Sequence, residues 1–402
     1  MTRHVKGIVL FSLAALVCAG MLARYLERVP KRHYCDFRVY HHAAQVFLQR
    51  GDIYTQDDPE ITPFKYSPFF AFLVSPLGLL PIKDAAGLFF ILNFIFTALM
   101  FRGARKLCMG DSAPPRQVML VYALSLFLVA RYILLVWDSG QVPILICGLV
   151  LMGLYMFFKG KDVHAGALIA AAVLFKYLPA LFIPYFIARK KFRAAGLTCL
   201  FIGLWLVLPA LYAGWDTAVR YLGSWLPSII STSLDHASYF DFKNQSLISM
   251  ILRTLSPSEL GVNILSLDFR AALMLAYAAC ILLYCLALIP AGKKDTRLVD
   301  AGLLFAFMPL FNPNGWMLNF SALAFPYILL LNHLRLTRWR DRFVLACVAL
   351  SFVFTSVLNQ EVAGDTVENF AEAHSFVTIG ALLVVVALLK LKFSPVSVKT
   401  LS

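Results

Sequence analysis

Long runs of apolar residues recur from one end of the chain to the other, separated by short polar stretches. A helix needs about twenty residues to cross the hydrocarbon core of a membrane, and most of these runs approach that length. The pattern therefore predicts an all-α, polytopic membrane protein. The long predicted spans cover residues 7–25, 84–101, 117–136, 140–158, 194–213, 267–289, 315–333, 343–358 and 374–391.

Clusters of Lys and Arg between these runs indicate which side of the membrane each connection faces. Cytoplasmic loops carry an excess of basic residues. The segment 359–373 holds acids but no Lys or Arg, and we expect it to face outside. Both termini are then predicted to be cytoplasmic. The clusters assigned to the cytoplasm lie at 102–116, 159–161, 189–193, 293–297, 335–342 and 390–392.

Two apolar stretches do not fit a simple crossing. Residues 68–81 are too short and too rich in proline to span, so they predict a re-entrant or interfacial helix on the outer side. Residues 164–188 begin and end at cytoplasmic clusters, so the chain must enter and return, turning near Lys176. With 298–311 included, we predict about twelve spans, plus juxtamembrane helices on the outer face. They form one domain, residues 1–402, with an outer loop at 26–67.

Composition agrees with a chain surrounded by membrane lipids. Hydrophobic residues make up 60% of the chain and charged residues only 14%, well below the share in soluble proteins. A net charge of +14 in a membrane protein reflects basic residues on the cytoplasmic face, so we predict no nucleic-acid partner. The cysteines lie mostly in apolar runs without a CxxC pair, which indicates neither a disulfide framework nor a thiolate metal site.

Asp36 is a lone acid shortly after the first apolar run. The stretch Phe37–Arg50 has apolar residues at helical spacing, with Tyr40 on the apolar face, and Gly51 is a natural stop. This predicts an amphipathic helix lying on the outer leaflet. Asp36 would stand at its N-cap, where a carboxylate accepts backbone N–H bonds. The same carboxylate can serve in catalysis, and the two interpretations can both hold.

Four basic residues are candidates for binding an anion. Lys65 precedes the re-entrant helix, where a lysine either snorkels at the interface or binds a lipid phosphate. Lys176, at the tip of the intramembrane turn, is costly unless it is paired or wet. Arg131 either pairs with Asp138, seven residues on, or binds an anion. Arg253 is a further cation on the predicted outer side.

Several short motifs follow one another in a fixed order over residues 36–316. They are Asp36-Phe37-x-Val39-Tyr40-x-x-Ala43 with Gly51-x-x-Tyr54, Phe64-Lys65-Tyr66-Ser67-Pro68 with Pro76-Leu77 and Leu80-Pro81, Ser139-Gly140-Gln141, Lys176-x-x-Pro179 with Pro184-Tyr185, Asn244-Gln245-Ser246-Leu247, and Asn312-Pro313 ahead of Trp316. As an ordered set they resemble glycosyltransferase family 87. The chain departs from the family at Asn312-Pro313, where many relatives have Ser-Pro.

The resemblance implies a GT-C membrane fold and a location in the plasma membrane of a bacterium. It implies the transfer of a sugar, usually mannose, from a polyprenyl-phosphate carrier to a hydroxyl of a glycolipid or glycan outside the cytoplasm. In GT-C enzymes an acid in the first outer loop is the general base, and Asp36 matches that position. The matching motifs also suggest residues that bind substrate. These are Tyr40, Tyr66, Gln141, Asn244 and Gln245.

The residue inventory suits this chemistry. A lipid phosphate is a good leaving group, so the reaction needs one base for the acceptor proton and cations for the departing phosphate. Asp36 would supply the first, and Lys65, Lys176, Arg131 and Arg253 are candidates for the second. Direct attack inverts the anomeric centre. We predict no cofactor and no metal, because the outer loops contain no Asp-x-Asp pair.

Other functions remain open from sequence alone. A transporter or flippase of lipid-linked sugars would also have many spans, broken helices and a lysine near the midplane. A non-catalytic partner in a glycan-assembly complex is a third class. Within the same fold, arabinofuranose or another sugar could replace mannose. Replacing Asp36 by Asn separates these classes, because only an enzyme that uses this base would lose turnover.

Overall fold

The computed structural model describes residues 16, 18–29, 36–55, 61–110, 113–233, 236–291 and 295–394. The predicted all-α class is confirmed: across these ranges the chain is helical, with no strand apart from an isolated bridge between Asn244 and Trp316. Residues 18–28 are helical, and the α-helices that follow, up to residue 240, are Asp36–Leu48, Pro68–Val74, Ile82–Met109, Pro115–Ser139, Pro143–Phe158, Asp162–Phe175, Phe182–Ala188, Phe192–Val207, Ala210–Ala213, Trp215–Ser233 and His236–Phe240. Those after it are Leu247–Leu255, Phe269–Leu288, Arg297–Leu310, Ala324–Leu336, Arg342–Phe352, Gln360–Ala363, Asp365–Ala373 and Phe376–Phe393.

Six helical segments in the described ranges are long and apolar enough to cross a membrane. Five shorter apolar helices accompany them. The predicted total of about twelve crossings therefore stays a prediction, and the first predicted span, 7–25, falls largely outside the described residues. The six segments are Ile82–Met109, Pro115–Ser139, Phe192–Ala213, Phe269–Leu288, Met317–Leu336 and Phe376–Phe393.

The predicted turn at Lys176 is a break between two helical arms. The helix Asp162–Phe175 ends there, Lys176 is extended, and a short 3₁₀ turn, Leu178–Leu181, starts the second arm. Pro179 lacks a backbone N–H and disfavours α-helical geometry at the residue before it, so the first helix cannot continue. Another 3₁₀ segment, Met317–Leu323, begins the predicted span 315–333, so the first part of this span is not α-helical.

The helix that carries Asp36 runs from Asp36 to Leu48 and is packed inside the protein. Its apolar face contacts the helix Pro68–Val74, the 3₁₀ turn Ser75–Leu79 and the start of Ile82–Met109. His41 is also buried, with Nε2 donating to the carbonyl oxygen of Leu80 at 2.9 Å. The expectation that this apolar face lies on the lipid leaflet is therefore wrong, because protein covers it.

The end of this helix also differs from the prediction. Arg50 adopts the left-handed conformation with φ of 58°, and Gly51 N donates to Val46 O at 3.0 Å. This is the hydrogen-bond pattern of a Schellman motif, in which the left-handed residue is usually glycine. The left-handed cap residue is therefore Arg50, one position before the predicted glycine, and the helix ends at Leu48.

The Tyr-Ser-Pro motif starts the predicted re-entrant helix. Ser67 Oγ accepts from Phe70 N at 3.2 Å, and Pro68 occupies the first helical position, where its missing N–H is not needed. The same hydroxyl donates to the carbonyl of Leu174 at 2.6 Å. Ser67 thus joins this helix to the arm that ends at Lys176, while the re-entrant position of 68–81 stays a prediction.

Candidate functional site

Asp36 is held by Gln141, which lies 105 residues further along the chain. Gln141 Nε2 donates to Asp36 Oδ2 at 2.6 Å. The other amide atom, Oε1, is buried without a hydrogen-bond partner among the described atoms. Gln141 Oε1 is thus an unsatisfied acceptor beside Asp36, and a hydroxyl donor can satisfy it.

Gly140 brings Gln141 to this position. It ends the helix Pro115–Ser139 in the left-handed conformation, with φ of 66°. A Cβ there would lie 2.2 Å from the Tyr25 hydroxyl and 2.9 Å from Phe37 Cβ. Only glycine combines this backbone conformation with so close an approach. The Ser-Gly-Gln motif is therefore a turn that presents Gln141 to the start of the Asp36 helix.

The surroundings of Asp36 act on its charge in opposite directions. Burial raises the pKa of the Asp36 carboxyl above its ordinary value, while the hydrogen bond from Gln141 and the positive charge of Lys176 lower it. The influence of Lys176 means that the two charges share one electrostatic environment. No direct ion pair joins them within the described part of the chain.

Tyr40 and Tyr66 form a hydroxyl pair one helical turn beyond Asp36. Their hydroxyl oxygens are 2.7 Å apart, and the rings pack edge to face with centroids at 5.0 Å. Lys65, next to Tyr66, is exposed, and its ammonium makes no hydrogen bond or ion pair with any residue that the structure describes. The structure therefore brings the two tyrosines to Asp36 and leaves the Lys65 side chain at the surface.

Lys176 lines a narrow, partly open cleft that encloses a cavity of about 30 Å³. Within the described residues its ammonium makes one hydrogen bond, to Asn319 Oδ1 at 3.0 Å. The rest of the lining is apolar apart from the thiol of Cys147, and includes Pro143, Met308 and Pro309. A single cation in an apolar cleft is suited to an anion carried on a hydrocarbon chain.

Asn244 and Gln245 lie in a different group of buried side chains. Asn244 Nδ2 donates to Pro313 O at 2.7 Å, and its Oδ1 accepts from Gly315 N at 2.9 Å. Gln245 Nε2 donates to Glu372 O at 2.7 Å. Both side chains are fully buried. The structure thus places these two predicted substrate ligands in contacts with the protein's own backbone.

Arg253 belongs to the same group. Its Nη1 donates to the carbonyl oxygens of Asp241 and Asn244, both at 2.8 Å, and its Nη2 donates to Ser375 Oγ at 2.6 Å. Only 1% of the residue is exposed. This guanidinium is enclosed by protein acceptors, so the structure does not bring it to Asp36.

Arg131 pairs with the acidic segment near the end of the chain. It contacts Glu368 and lies 3.7 Å from Glu372, on the helix Asp365–Ala373. The expected partner Asp138 is instead 3.3 Å from both Arg24 and Arg28. The predicted Arg131–Asp138 pair is therefore wrong, because residues seven apart on one helix compete with partners brought in from other helices.

The structure collects part of the predicted set around Asp36 and adds one residue that the motifs did not include. Gln141, Tyr40, Tyr66 and Lys176 surround or act on Asp36. The added residue is Asn319, an amide in the predicted apolar span 315–333, and a polar side chain in such a run was a usable signal. Among the described side chains, no group of His, Cys, Asp and Glu is placed to hold a metal ion.

Comparison with known protein families gives a match to a family model. The model of glycosyltransferase family 87 covers residues 64–313, which is more than half of the chain. This range includes every predicted site residue except Asp36 and Tyr40. A search of curated proteins returns no match.

Proposed function

Because the chain belongs to glycosyltransferase family 87, we propose that it moves a hexose, most often mannose, from a polyprenyl-phosphate carrier to an acceptor hydroxyl. The acceptor is a glycolipid or glycan on the extracytoplasmic face of the plasma membrane, and both termini of the enzyme are cytoplasmic. Family membership itself makes the protein a glycosyltransferase. The donor, the sugar, the location and the residue roles below are the proposal.

One observation carries the assignment of the base. The Asp36 carboxylate is partly buried, is held at 2.6 Å by Gln141, and lies beside an amide oxygen with no partner among the described atoms. An acceptor hydroxyl can donate to the Asp36 carboxylate, and a neighbouring hydroxyl of the same acceptor can donate to Gln141 Oε1. A base must lie within hydrogen-bond reach of the proton it takes, and the raised pKa of Asp36 makes it a better proton acceptor near neutral pH.

The cleft at Lys176 supports the nature of the donor. Its apolar lining suits a polyprenyl chain, and the ammonium would stabilise the negative charge that grows on the leaving phosphate. Lys65 is a second cation at the surface of the same region. Arg131 and Arg253 have no part in this mechanism, because each is already bound by the protein's own acceptors.

The proposed step balances without a cofactor. The acceptor oxygen attacks the anomeric carbon, and its proton goes to Asp36. The bond between the anomeric carbon and the phosphate oxygen breaks, and the polyprenyl phosphate leaves with the electron pair. Attack opposite the leaving group inverts the configuration at the anomeric carbon. A pair of carboxylates, as used by glycosidases, is not required, because the phosphate leaves without being protonated.

The test compares Asp36→Asn with wild type in nanodiscs. Each receives radiolabelled polyprenyl-phosphate-mannose and a membrane-lipid extract, and label in new glycolipid or glycan is followed. We expect Asp36→Asn to lose about 10²-fold to 10⁴-fold in rate while binding the donor as wild type does. The matched control is Asp216→Asn, which changes an exposed acid on the same predicted outer side and should leave the rate unchanged.

Two results would contradict the proposal. Equal transfer by wild type and Asp36→Asn would remove Asp36 from the chemistry and leave it a structural role at the helix start. Movement of labelled donor across a vesicle membrane, without any new glycan product, would instead indicate a transporter of lipid-linked sugars.

A further inference from the structure

Asn319 is the one side chain that holds the Lys176 ammonium among the residues described. Its Oδ1 accepts from Lys176 Nζ at 3.0 Å, and both residues line the same cleft. Asn319 is 143 residues away from Lys176 in the chain and lies in the 3₁₀ segment Met317–Leu323. The contact therefore exists only because the fold brings these two segments together.

The orientation of the Asn319 amide is determined by its two partners. A lysine ammonium can only donate, so it must face the amide oxygen. A backbone carbonyl can only accept, and Asn319 Nδ2 donates to Asn314 O at 3.3 Å. A flipped amide would lose both hydrogen bonds.

The loop behind Asn319 is itself fixed. Asn244 clamps it by donating to Pro313 O at 2.7 Å and accepting from Gly315 N at 2.9 Å. Gly315 lies so close that a Cβ would be 2.7 Å from Ser246 N. Asn319 is thus hydrogen-bonded to backbone that has little freedom to move, and its own hydrogen bond to Lys176 fixes the position of the ammonium.

An amide differs from a carboxylate in what it leaves to the lysine. It accepts one N–H and carries no charge, so the ammonium keeps its full charge and two further donors. A carboxylate at position 319 would neutralise that charge. A side chain with no acceptor would release the lysine, and Asp36 is the acid whose charge acts on it most strongly.

We propose that Asn319 is a positioning residue that holds the Lys176 ammonium in the cleft and apart from Asp36, so that the cation serves the donor phosphate and the acid remains a free base. This rests on the proposed function, because it assumes that Asp36 and Lys176 take opposite parts in one transfer. Without this hold, the ammonium would be free to move away from the donor phosphate and toward Asp36, whose strength as a base it would reduce.

The test uses three full-length variants in nanodiscs. Asn319→Leu removes the acceptor, and Asn319→Asp replaces it with a charge. The control is Asn332→Leu, because Asn332 is also buried and also joins a carbonyl, Cys108 O at 2.7 Å, to a cation, Arg335, but it does not line the cleft. Binding of labelled polyprenyl phosphate is measured alongside donor KM and the pH dependence of kcat.

Both Asn319 variants should weaken binding of polyprenyl phosphate and raise donor KM by about tenfold or more, with Asn319→Asp the weaker binder. Their pH profiles should move in opposite directions. In Asn319→Leu the freed Lys176 pairs with Asp36 and lowers its pKa, so activity persists to lower pH. In Asn319→Asp the new carboxylate cancels the charge of Lys176, so the pKa of Asp36 rises. As the pH is lowered, this variant should lose activity at a higher pH than wild type does. Tyr40, Tyr66 and Cys147, the other titratable neighbours, are uncharged near neutral pH.

The outcomes separate this inference from the proposed function. Unchanged phosphate binding and an unchanged pH profile in both Asn319 variants would overturn the inference, as would equal effects in Asn332→Leu. If wild type binds polyprenyl phosphate but transfers no sugar, the proposed function fails, and weaker binding by the variants still supports the hold on Lys176. If wild type does not bind polyprenyl phosphate, both fail.

Discussion

Two groups of polar side chains in this protein contain the same residue types and use them differently. One, the cleft group, comprises Asp36, Gln141, Lys176 and Asn319. The other, the loop group, comprises Asn244, Gln245 and Arg253. Each has a cation, an asparagine and a glutamine. The cleft group bonds side chain to side chain, whereas the loop group bonds mainly to backbone carbonyls and is fully buried.

The difference shows how to distinguish a structural cation from a reactive one. Arg253 has three acceptors and is enclosed, so its charge stabilises the loops it joins. Lys176 has one neutral acceptor in the described structure and an open cleft beside it. A charge left largely unmatched beside a cleft is costly for folding, which is why such charges in apolar surroundings usually serve function.

The largest effect expected from replacing a cation breaks the cleft group at Lys176. Lys176→Met keeps the length of the side chain and removes the charge. We expect kcat/KM for the lipid-linked donor to fall by about 10²-fold to 10³-fold, because the leaving phosphate loses its stabilising charge. The melting temperature in detergent should stay the same or rise, since an unmatched buried charge is removed.

A lower melting temperature in Lys176→Met than in wild type would contradict this prediction, because it would make Lys176 a structural residue like Arg253. The measurement therefore pairs steady-state transfer with thermal unfolding of the same preparation.

The second prediction breaks the loop group at its cation. Arg253→Met leaves the carbonyls of Asp241 and Asn244 and the hydroxyl of Ser375 without their donor. We expect a loss of about 2 kcal/mol in stability, because buried acceptors without partners carry a desolvation cost. Thermal unfolding checks this, and the transfer rate per folded molecule should remain near that of wild type.

A normal melting temperature with transfer lost would reverse the assignment of Arg253 and return it to phosphate binding. Arg253→Lys serves as the comparison, since it keeps the charge but loses the planar set of donors. We expect it to be intermediate in stability.

Sequence reasoning predicted the local parts of both groups well. Helical spacing predicted the helix that carries Asp36 to within two residues, and the basic clusters at both ends of 164–188 predicted a turn near Lys176, where the first helical arm ends. These features depend on residues close together in the chain, so the sequence pattern alone is enough to predict them.

The partners could not be predicted, because they come from distant segments. Lys176 and Arg253 were both predicted phosphate ligands, and what separates them is Asn319 in one case and Ser375 in the other. The wrong pairing of Arg131 with Asp138 has the same origin. Spacing along one helix says which residues share a face, but the contact of Arg131 with Glu368 spans 237 residues.

The smallest expected effect comes from Glu372, which contacts the loop group through Gln245. Glu372, whose carbonyl accepts from Gln245, has its pKa raised to about 7 by burial and by the charge of Glu368, against the opposing charge of Arg131. Because the folded pKa exceeds the ordinary value of 4.5, ionising Glu372 costs stability as pH rises between those values. Glu372→Gln removes this cost, so its melting temperature should exceed that of wild type by about 1–2 °C at pH 8 and equal it below pH 4.5.

Transfer should not change in Glu372→Gln, since of the two groups Glu372 adjoins only the loop group. An altered transfer rate with an unaltered melting temperature would instead connect the two groups.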